Sequence, residues 1–590
     1  MSDATVSLLV LAGCVGLFVW NRLPVGAVAV LTALALYATG LVTATQAVAG
    51  FGDPVVIFIA SLFVLSEGLE SSGVTAWAGQ QLIARAGTGR AKLLVALMAL
   101  SAVMAALVTP NGAAAALLPV VVLAARRAGR ATSQMLMPLA FAASAGALLV
   151  LSGSPVNVIV SESLSEATGD TFGFFEFALI GLPLVVVTVL VAVLVGKPLL
   201  PDRTPTSLPA DFSGHVDRLV EHYRLEQGFF RLRVTAASSV GPFTVPDDVV
   251  LIGVQKQDGE LADERHRPVV GDVLVATGDG TTAFAEAHGL TIASTPLTAR
   301  TREALLGREV GIAELVVSPR SAIIGETVFP GAVRSGVTIL AVRRLGRDRL
   351  RTVLAEGDAL LVHGTWPAVE ALADDDDVLL VDSPEMVRRQ TVAFGPLAWR
   401  AVAVLVGTVI LLASGAVPPA IAGLVGAVAM VLTGVVAGPQ ALRAVSWQTV
   451  ILVGGLIPLS VAIASSGAAD LVAGWLLDLV GDGDPRLVLA ALFVVTVLLG
   501  QVVSNTATVL IVAPIAVAVA GEAGLALAPV LMLVAVAGAA SFLTPIATPA
   551  NMMVMTPGGY TFGSYWKLGL ATTAAWFVVA VGLIPVIWPV

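Results

Sequence analysis

The feature that most constrains this chain is that it contains itself twice. Ser66, Ser72-Gly73, Asn111 and Gly153-Ser154-Pro155-Val156-Asn157 reappear as Ser460, Ser466-Gly467, Asn505 and Ala547-Thr548-Pro549-Ala550-Asn551, all at one offset of 394 residues. Gly169-Asp170-Thr171-Phe172-Gly173 then returns as Gly559-Tyr560-Thr561-Phe562-Gly563 at an offset of 390. A repeat of this length decides the fold before any local reading does. It divides the chain into repeat one (1–197), an insert (198–393) and repeat two (394–590).

Composition says what the repeats live in. The chain is 57% hydrophobic and 12% charged, about half the charge of an ordinary soluble domain. Residues 201–390 hold 28 acidic and 20 basic residues, a normal density, which leaves 25 charges for the other 400 positions. Only a bilayer solvates halves like these. In repeat one, apolar runs fall at 5–20, 24–42, 54–72 and 177–196. Two longer runs are interrupted, 91–125 at Thr109-Pro110-Asn111-Gly112 and 135–165 at Ser152-Gly153-Ser154-Pro155. Repeat two has the same order: 396–415, 417–437, 448–466, 486–521 broken at Ser504-Asn505-Thr506, 526–556 broken from Pro545 to Asn551, and 566–588.

Several function classes drop out. A net charge of −9 lacks the basic footprint nucleic acid requires. The single cysteine, Cys14, excludes disulfides and cysteine-based zinc sites. All five histidines lie between 215 and 363, so the membrane halves have no imidazole. They also hold no nucleophile–base–acid set, and an enzyme is not expected. The first seven residues carry no basic n-region, so the first apolar run is expected to be a retained span, not a signal peptide.

Lys and Arg stay on the cytoplasmic side. Arg85, Arg90 and Lys92 precede the first broken run and Arg126, Arg127 and Arg130 follow it. Residues 91–125 are therefore expected to enter and return as a re-entrant hairpin. Asp478, Asp482, Asp484 and Glu522 flank the second, with Arg486 as the basic exception, so a hairpin over 486–521 is expected to open outside. Each repeat then crosses five times, and an odd count inverts the second copy. On this topology 11 of the 12 basic residues of the membrane halves are cytoplasmic, Arg22, Lys197, Arg400, Arg443 and Lys567 included. Glu162, Glu166, Asp170 and Glu176 fall outside. The expected fold is an α-helical, multi-pass plasma-membrane protein, an inverted repeat of two five-span halves each with a re-entrant hairpin. Both termini are extracytoplasmic and a soluble α+β insert is cytoplasmic.

Irregular backbone at membrane depth is tolerated where it is buried in protein or lines a wet cavity. Inverted repeats with interrupted helices are how many secondary transporters build a midplane site. The four breaks form two matched pairs, each with an Asn among small or hydroxyl-bearing residues. Their oxygens suit a hard cation such as Na⁺, and their hydroxyl, amide and helix-end N–H groups suit a divalent anion. No acidic residue sits in any break, which argues against a carboxylate proton relay. The plainer alternative is that Ser, Thr, Gly and Pro here only pack and kink membrane helices.

Ser504-Asn505-Thr506-Ala507-Thr508, Thr544-Pro545-Ile546-Ala547-Thr548-Pro549-Ala550-Asn551, and Pro557-Gly558-Gly559-Tyr560 with Phe562-Gly563 resemble the divalent anion–sodium symporter family of dicarboxylate, citrate and sulfate carriers. The resemblance covers both membrane halves. It implies the ion-transporter superfamily fold and a homodimer whose mobile transport domains move by an elevator step against a fixed scaffold. It also implies Na⁺ as coupling ion, with H⁺ the alternative, and no other cofactor. Carried over, Ser504, Asn505, Thr506, Thr548 and Pro549 would contact the anion, together with Asn111, Ser154 and Pro155 of repeat one. Sodium would sit at Val503, Asn505 and Ala547, and at Thr109, Asn111 and Gly153. The first tip departs from the family's Ser-Asn-Thr: Pro110-Asn111-Gly112 keeps the Asn and loses both hydroxyls. Thr109 stands one position earlier as a replacement, and fewer hydroxyls favour a smaller oxyanion such as sulfate.

Glu67, inside the third span, is a functional candidate as an intramembrane carboxylate. Alternatively it is paired near the end of the scaffold, since repeat two has Val461 there. The insert is also doubled: Gly271-Asp272-Val273-Leu274-Val275 with Gly278 recurs as Gly357-Asp358-Ala359-Leu360-Leu361 with Gly364, an offset of 86. Each copy follows a strand-like run, 249–254 or 337–342, in α+β patterning. The second copy (312–373) resembles the TrkA C-terminal domain, the ligand-sensing half of potassium-conductance regulators, and the first (225–290) resembles it less closely. No Gly-x-Gly-x-x-Gly follows a strand, so the nucleotide-binding half is missing. A regulatory or dimerising module is expected, with a small ligand or a purely structural role. The Asp374-Asp375-Asp376-Asp377 run is read as a solvated linker.

The leading expectation is Na⁺-coupled uptake of a divalent anion. A regulated ion channel is the alternative from another class, though no Thr-Val-Gly-Tyr-Gly filter is present. A metalloid or oxyanion exporter on the same wider fold is the third.

Overall fold

The computed structural model describes residues 2–20, 22–75, 77–78, 81, 89–203, 219, 229–235, 245–246, 248–257, 266–278, 280–294, 310–372, 376–381, 396–480 and 484–589. Arg85, Asp374, Asp375 and Asp482 lie outside them, as do 225–228, 236–244 and 258–265 of the first TrkA-like copy. The chain forms two compact units, Met1–Pro209 with Ala393–Val590, and Ala210–Val392.

The first unit is helical. Its N-terminal part runs α1 (Asp3–Trp20), α2 (Val25–Ala38), α3 (Ala44–Ala49), α4 (Pro54–Ser71), α5 (Arg90–Leu107), α6 (Pro110–Arg127), α7 (Ser133–Gly146), α8 (Pro155–Thr168) and α9 (Ala178–Leu194). Its C-terminal part runs α10 (Pro396–Ser414), α11 (Pro419–Leu432), α12 (Gly438–Ala444), α13 (Trp447–Ser465), α14 (Ala468–Val480) and α15 (Pro485–Gly500). It continues with α16 (Asn505–Ala523), α17 (Leu527–Ala539), α18 (Pro549–Met555) and α19 (Tyr565–Ile587). Among the described residues seven helices are long and apolar enough to cross a bilayer, or eight if the bent pair α14–α15 is one span.

The apolar runs at 24–42 and 417–437 break earlier than their hydropathy suggests. Gly40 and Gly434 take φ of +78° and +71°, which a side chain resists, so α2 and α11 end before them. Short helices follow at both places. Gln46 Oε1 accepts from Thr43 N at 2.9 Å and Gln440 Oε1 from Ala437 N at 3.4 Å. The local code is thus the same 394 residues apart.

Prolines make the deeper breaks. Pro155 and Pro549 each open a helix at a position that needs no N–H. Each pushes the residue before it into the extended region: Ser154 has φ −151° and ψ 145°, Thr548 φ −141° and ψ 145°. The residue before each proline cannot be helical, and in repeat one the chain leading to it is reduced to two 3-10 turns, Ala147–Leu149 and Leu151–Gly153. The helix after each break packs hard onto the chain leading into it. A Cβ on Gly181 of α9 would lie 2.1 Å from Leu148 O, and one on Gly569 of α19 would lie 2.3 Å from Phe542 O. Leu148 and Phe542 are again 394 apart. Aromatic packing joins the two parts, with Phe542 between Phe141 at 4.7 Å and Trp576 at 4.8 Å.

The second unit carries strands β1 (Phe230–Arg233), β2 (Val250–Gln255), β3 (Val273–Thr277), β4 (Thr291–Ser294), β5 (Val310–Val317) and β6 (Thr327–Val328). The rest are β7 (Val333–Arg334), β8 (Val337–Arg344), β9 (Arg347–Arg349), β10 (Thr352–Val353), β11 (Ala359–Thr365) and β12 (Val378–Leu380). One sheet has the order β2-β3-β1-β4; the larger contains β12-β5-β11-β8, the same order at the second copy. The turn that precedes β3 and β11 is also shared. Gly271 N donates to Val234 O at 2.9 Å and Gly357 N to Val317 O at 3.0 Å. Buried Asp272 and Asp358 accept from Val269 N and Ala355 N, both at 2.9 Å. Asp358 also takes two 2.7 Å bonds from Arg344. Burial raises its carboxyl, but the Arg344 hydrogen bonds, the Ala355 N–H and the charges of Arg344 and Arg349 hold it below the ordinary range. Gln255 fastens the two sheets, donating to Val333 O at 2.7 Å and accepting from Val333 N at 3.3 Å.

Candidate functional site

Each hairpin tip is a helix start built on a capping hydroxyl. Ser504 is extended, and its Oγ accepts from Ala507 N at 3.4 Å at the start of α16. In the other tip Pro110 occupies the matching position, and Thr109 Oγ1 accepts from Gly112 N at 3.1 Å. The hydroxyl has moved back one residue and still satisfies a free N–H of the first turn. Thr506 and Val503 are buried, whereas Asn505, Asn111 and Thr109 are half-buried.

The tips reach across the repeat. Asn111 Oδ1 accepts from Ala550 N at 3.1 Å, in the first turn of α18. A Cβ on Gly538, at the end of α17, would stand 3.9 Å from Asn505 O and 3.8 Å from Val156 Cγ1. The Asn111 side chain and the Asn505 backbone carbonyl therefore both lie against the one broken helix α17–α18, and Val156 of the other broken helix joins them there. The second arm of each hairpin packs on the broken helix of the opposite repeat, α16 on α8 and α6 on α18. Asn505 Oδ1 turns back onto its own chain, accepting from Thr506 N at 2.8 Å and Thr506 Oγ1 at 3.3 Å.

The breaks themselves are laced by two asparagines that the sequence aligned without a role. Asn157 Nδ2 donates to Ala147 O at 2.8 Å and Val150 O at 2.9 Å. Asn551 Nδ2 donates to Ser541 O at 2.8 Å and Thr544 O at 3.2 Å. Ser154 Oγ accepts from Val156 N and Thr548 Oγ1 from Asn551 N, both at 3.3 Å. Gly153 is required, because a Cβ there would meet Ala147 O at 2.3 Å, while Ala547 is buried in the matching place. The two tips are held differently. Gln501, buried, donates to Val497 O at 3.1 Å and Ala540 O at 3.2 Å and accepts from Leu543 N at 2.9 Å. Leu107 stands at the corresponding position and bonds nothing.

A cavity of about 530 Å³ opens between α4, α8, α13 and α16, lined by Asp53, Ile159, Glu162, Glu166, Ser460 and Leu510 among others. None of the residues singled out for substrate or sodium lines it. Ser460 Oγ donates to Leu510 O at 2.5 Å across its floor. Glu162 and Glu166 share one face of α8 at i and i+4 spacing. Asp53, the N-cap of α4, joins them from a distant part of the sequence, which no spacing rule shows. Glu67 is held elsewhere: its Oε1 accepts from Gln440 Nε2 at 2.6 Å, so it is paired, as the plainer alternative had it.

Two hairpins and two interrupted helices, interlocked within a unit of apolar helices, are the architecture of a multi-pass membrane transporter. The chain belongs to the citrate transporter family (CitMHS), matched over residues 15–413 and 409–589. It is 30% identical to the uncharacterized transporter YfbS of Escherichia coli K12 over 98% of both chains. It is 28% identical to a putative sulfur deprivation response regulator of Chlamydomonas reinhardtii, over 93% of this chain and 95% of that one. Sodium/sulfate cotransporter 2 of the same alga is 28% identical over 59% of this chain and 40% of its own.

Proposed function

We propose that this protein is a secondary active transporter coupling Na⁺ to uptake of a divalent anion, sulfate or a dicarboxylate, across the plasma membrane. The observation that carries the reading is the convergence of both hairpin tips on one broken helix, through Asn111 on Ala550 N and Asn505 beside Gly538. A continuous pore has no use for such interlocked tips, whereas an occluded site between them does. Asn111, Ser154, Pro155, Ser504, Asn505, Thr506, Thr548 and Pro549 are assigned to the anion. The coupling cation is assigned to the space between each tip and its break, at Thr109, Asn111 and Gly153 and at Val503, Asn505 and Ala547. The symporter-like motifs and a relative named for sodium and sulfate support the ion pair; the family description adds citrate to the anions to be tried.

The same reading makes the protein an inverted-repeat elevator and a homodimer. Basic residues put the insert in the cytoplasm and both termini outside. The insert's two like-ordered sheets act as a TrkA-C-like regulatory module. The test is uptake into liposomes of labelled sulfate, succinate and citrate, with inward gradients of Na⁺, H⁺ or neither. Saturable uptake of at least one divalent anion that rises with the Na⁺ gradient is expected. It should be abolished in Asn505→Ala, which should still elute as wild type. Unitary currents, or uptake indifferent to Na⁺, would sink the assignment.

A further inference from the structure

The second hairpin tip is tied to the second break by a side chain that belongs to neither ligand set. Gln501 follows the last residue of α15, three positions before Ser504, and is 7% exposed. Its Nε2 donates to Ala540 O at 3.2 Å and its Oε1 accepts from Leu543 N at 2.9 Å. Its own carbonyl accepts from Thr544 Oγ1 at 3.0 Å, so three hydrogen bonds cross from this one residue to the break. A helix that stops leaves carbonyls and N–H groups unpaired, and an amide can take one of each. The backbones also lie close, since a Cβ on Gly500 would stand 3.8 Å from Ser541 Oγ. Repeat one has no such tie. Leu107 occupies the matching position, and the stretch matching 541–543 winds onto itself as the 3-10 turn Ala147–Leu149. Among the described residues no hydrogen bond joins 107–109 to 146–153. The first tip reaches across to Ala550 N through Asn111 instead.

The geometry points to Gln501 as a positioning residue: its amide holds the second hairpin tip on the second break in the arrangement that receives the ions, so this half of the site is preorganised. The inference rests on the carrier reading above and names what sets the affinity within it. The residues assigned to the ligands stand on both sides of the tie, Val503, Ser504 and Asn505 on the tip and Ala547 and Thr548 on the break. An ion that touches both sides binds only where the two are in place together. A tip already held there spares the ion the cost of ordering it. Apparent affinity then scales with the fraction of molecules in the receptive arrangement. Once bound, the ions bridge tip and break themselves, so turnover at saturation does not depend on Gln501. The plainer role is that Gln501 only satisfies buried groups of the break. Such a role would govern how much protein folds and leave the affinity of the folded molecules alone.

The test is uptake of labelled sulfate, succinate and citrate by the full-length protein in liposomes, measured against anion and Na⁺ concentration and normalised to folded protein. Gln501→Met keeps a similar volume and removes both side-chain bonds to the break. Thr544→Val keeps the side-chain shape and removes the third bond from the other side. Each variant is expected to raise the KM for the transported anion and the half-saturating Na⁺ concentration by about ten-fold, as when the receptive fraction falls to about a tenth. The maximal rate per folded molecule should stay within about two-fold of wild type on the same scheme. Leu107→Met, at the matching position without a tie, should change neither. Where Gln501→Met does not fold, Thr544→Val decides alone. Wild-type KM in the folded variants, or a lower maximal rate at unchanged KM, overturns the positioning role and leaves the carrier standing. A wild type that takes up none of the three anions removes the carrier reading, and the role of Gln501 with it.

Discussion

Single residues in this protein are repeated together with their bonds, and the clearest soluble case is the aspartate that closes each turn of the insert. Asp358 accepts from Ala355 N and Arg344, Asp272 from Val269 N. Because the folded carboxyl of Asp358 is held below its ordinary range, its contribution is fully present above the unfolded value of 3.8. It is lost as pH falls further, through the folded value. The insert should therefore keep its protection against hydrogen exchange down to about pH 4 and lose it below. Asp358→Asn, which keeps the size and removes the charge, should cost about 1–2 kcal/mol at neutral pH, read as faster exchange in β8 and β11. Unchanged exchange would mean that the pair with Arg344 is only a surface contact.

At the scale of elements, much of the pattern was legible, because a duplicated chain carries its own alignment. Proline before each second half-helix, hydroxyls before each proline and Asn at each tip all announced breaks at Ser154 and Thr548, where the extended residues stand. The helix ends at Ala38 and Leu432 were missed, since hydropathy runs on past Gly40 and Gly434 while the backbone does not. The roles of Asn157 and Asn551 were also out of reach. Sequence gives the type of a buried amide but not which end is used. The glycines that seat α9 and α19 on the breaks make a further prediction. Gly181→Ala and Gly569→Ala should each lower stability by about 1–3 kcal/mol, the usual cost of overpacking, seen as a lower melting temperature in detergent. Gly13→Ala, in the middle of α1 where a Cβ meets nothing within 4 Å, is the control and should not lower it. If all three behave alike, close approach of helix to carbonyl is not what these glycines serve.

For the whole molecule, the cavity between α4, α8, α13 and α16 adds a term that no repeat alignment contains, because Asp53 meets the Glu162–Glu166 pair of α8 there only after folding. Carboxylates around an entrance oppose the approach of a dianion, and salt weakens that opposition over a Debye length of about 10 Å at 0.1 M. The double variant Glu162→Gln, Glu166→Gln should therefore lower the KM for anion uptake at low ionic strength and matter less as salt is raised. An unchanged KM at low salt would mean that the anion does not pass this way. The tips and breaks, which do not line this cavity, differ from it in chemistry. Residues 108–112, 147–157, 500–508 and 540–551 contain no acid, imidazole, amine or guanidinium, so on the function proposed above recognition by these amides and hydroxyls should stay constant between mildly acid and mildly alkaline media. A carrier lined this way cannot sense acidity at its centre. With Na⁺ as the coupling ion, any change of flux with pH then reports either the ionisation of the cargo or the charge of the acidic cavity, and a cargo that stays doubly charged, such as sulfate, separates the two.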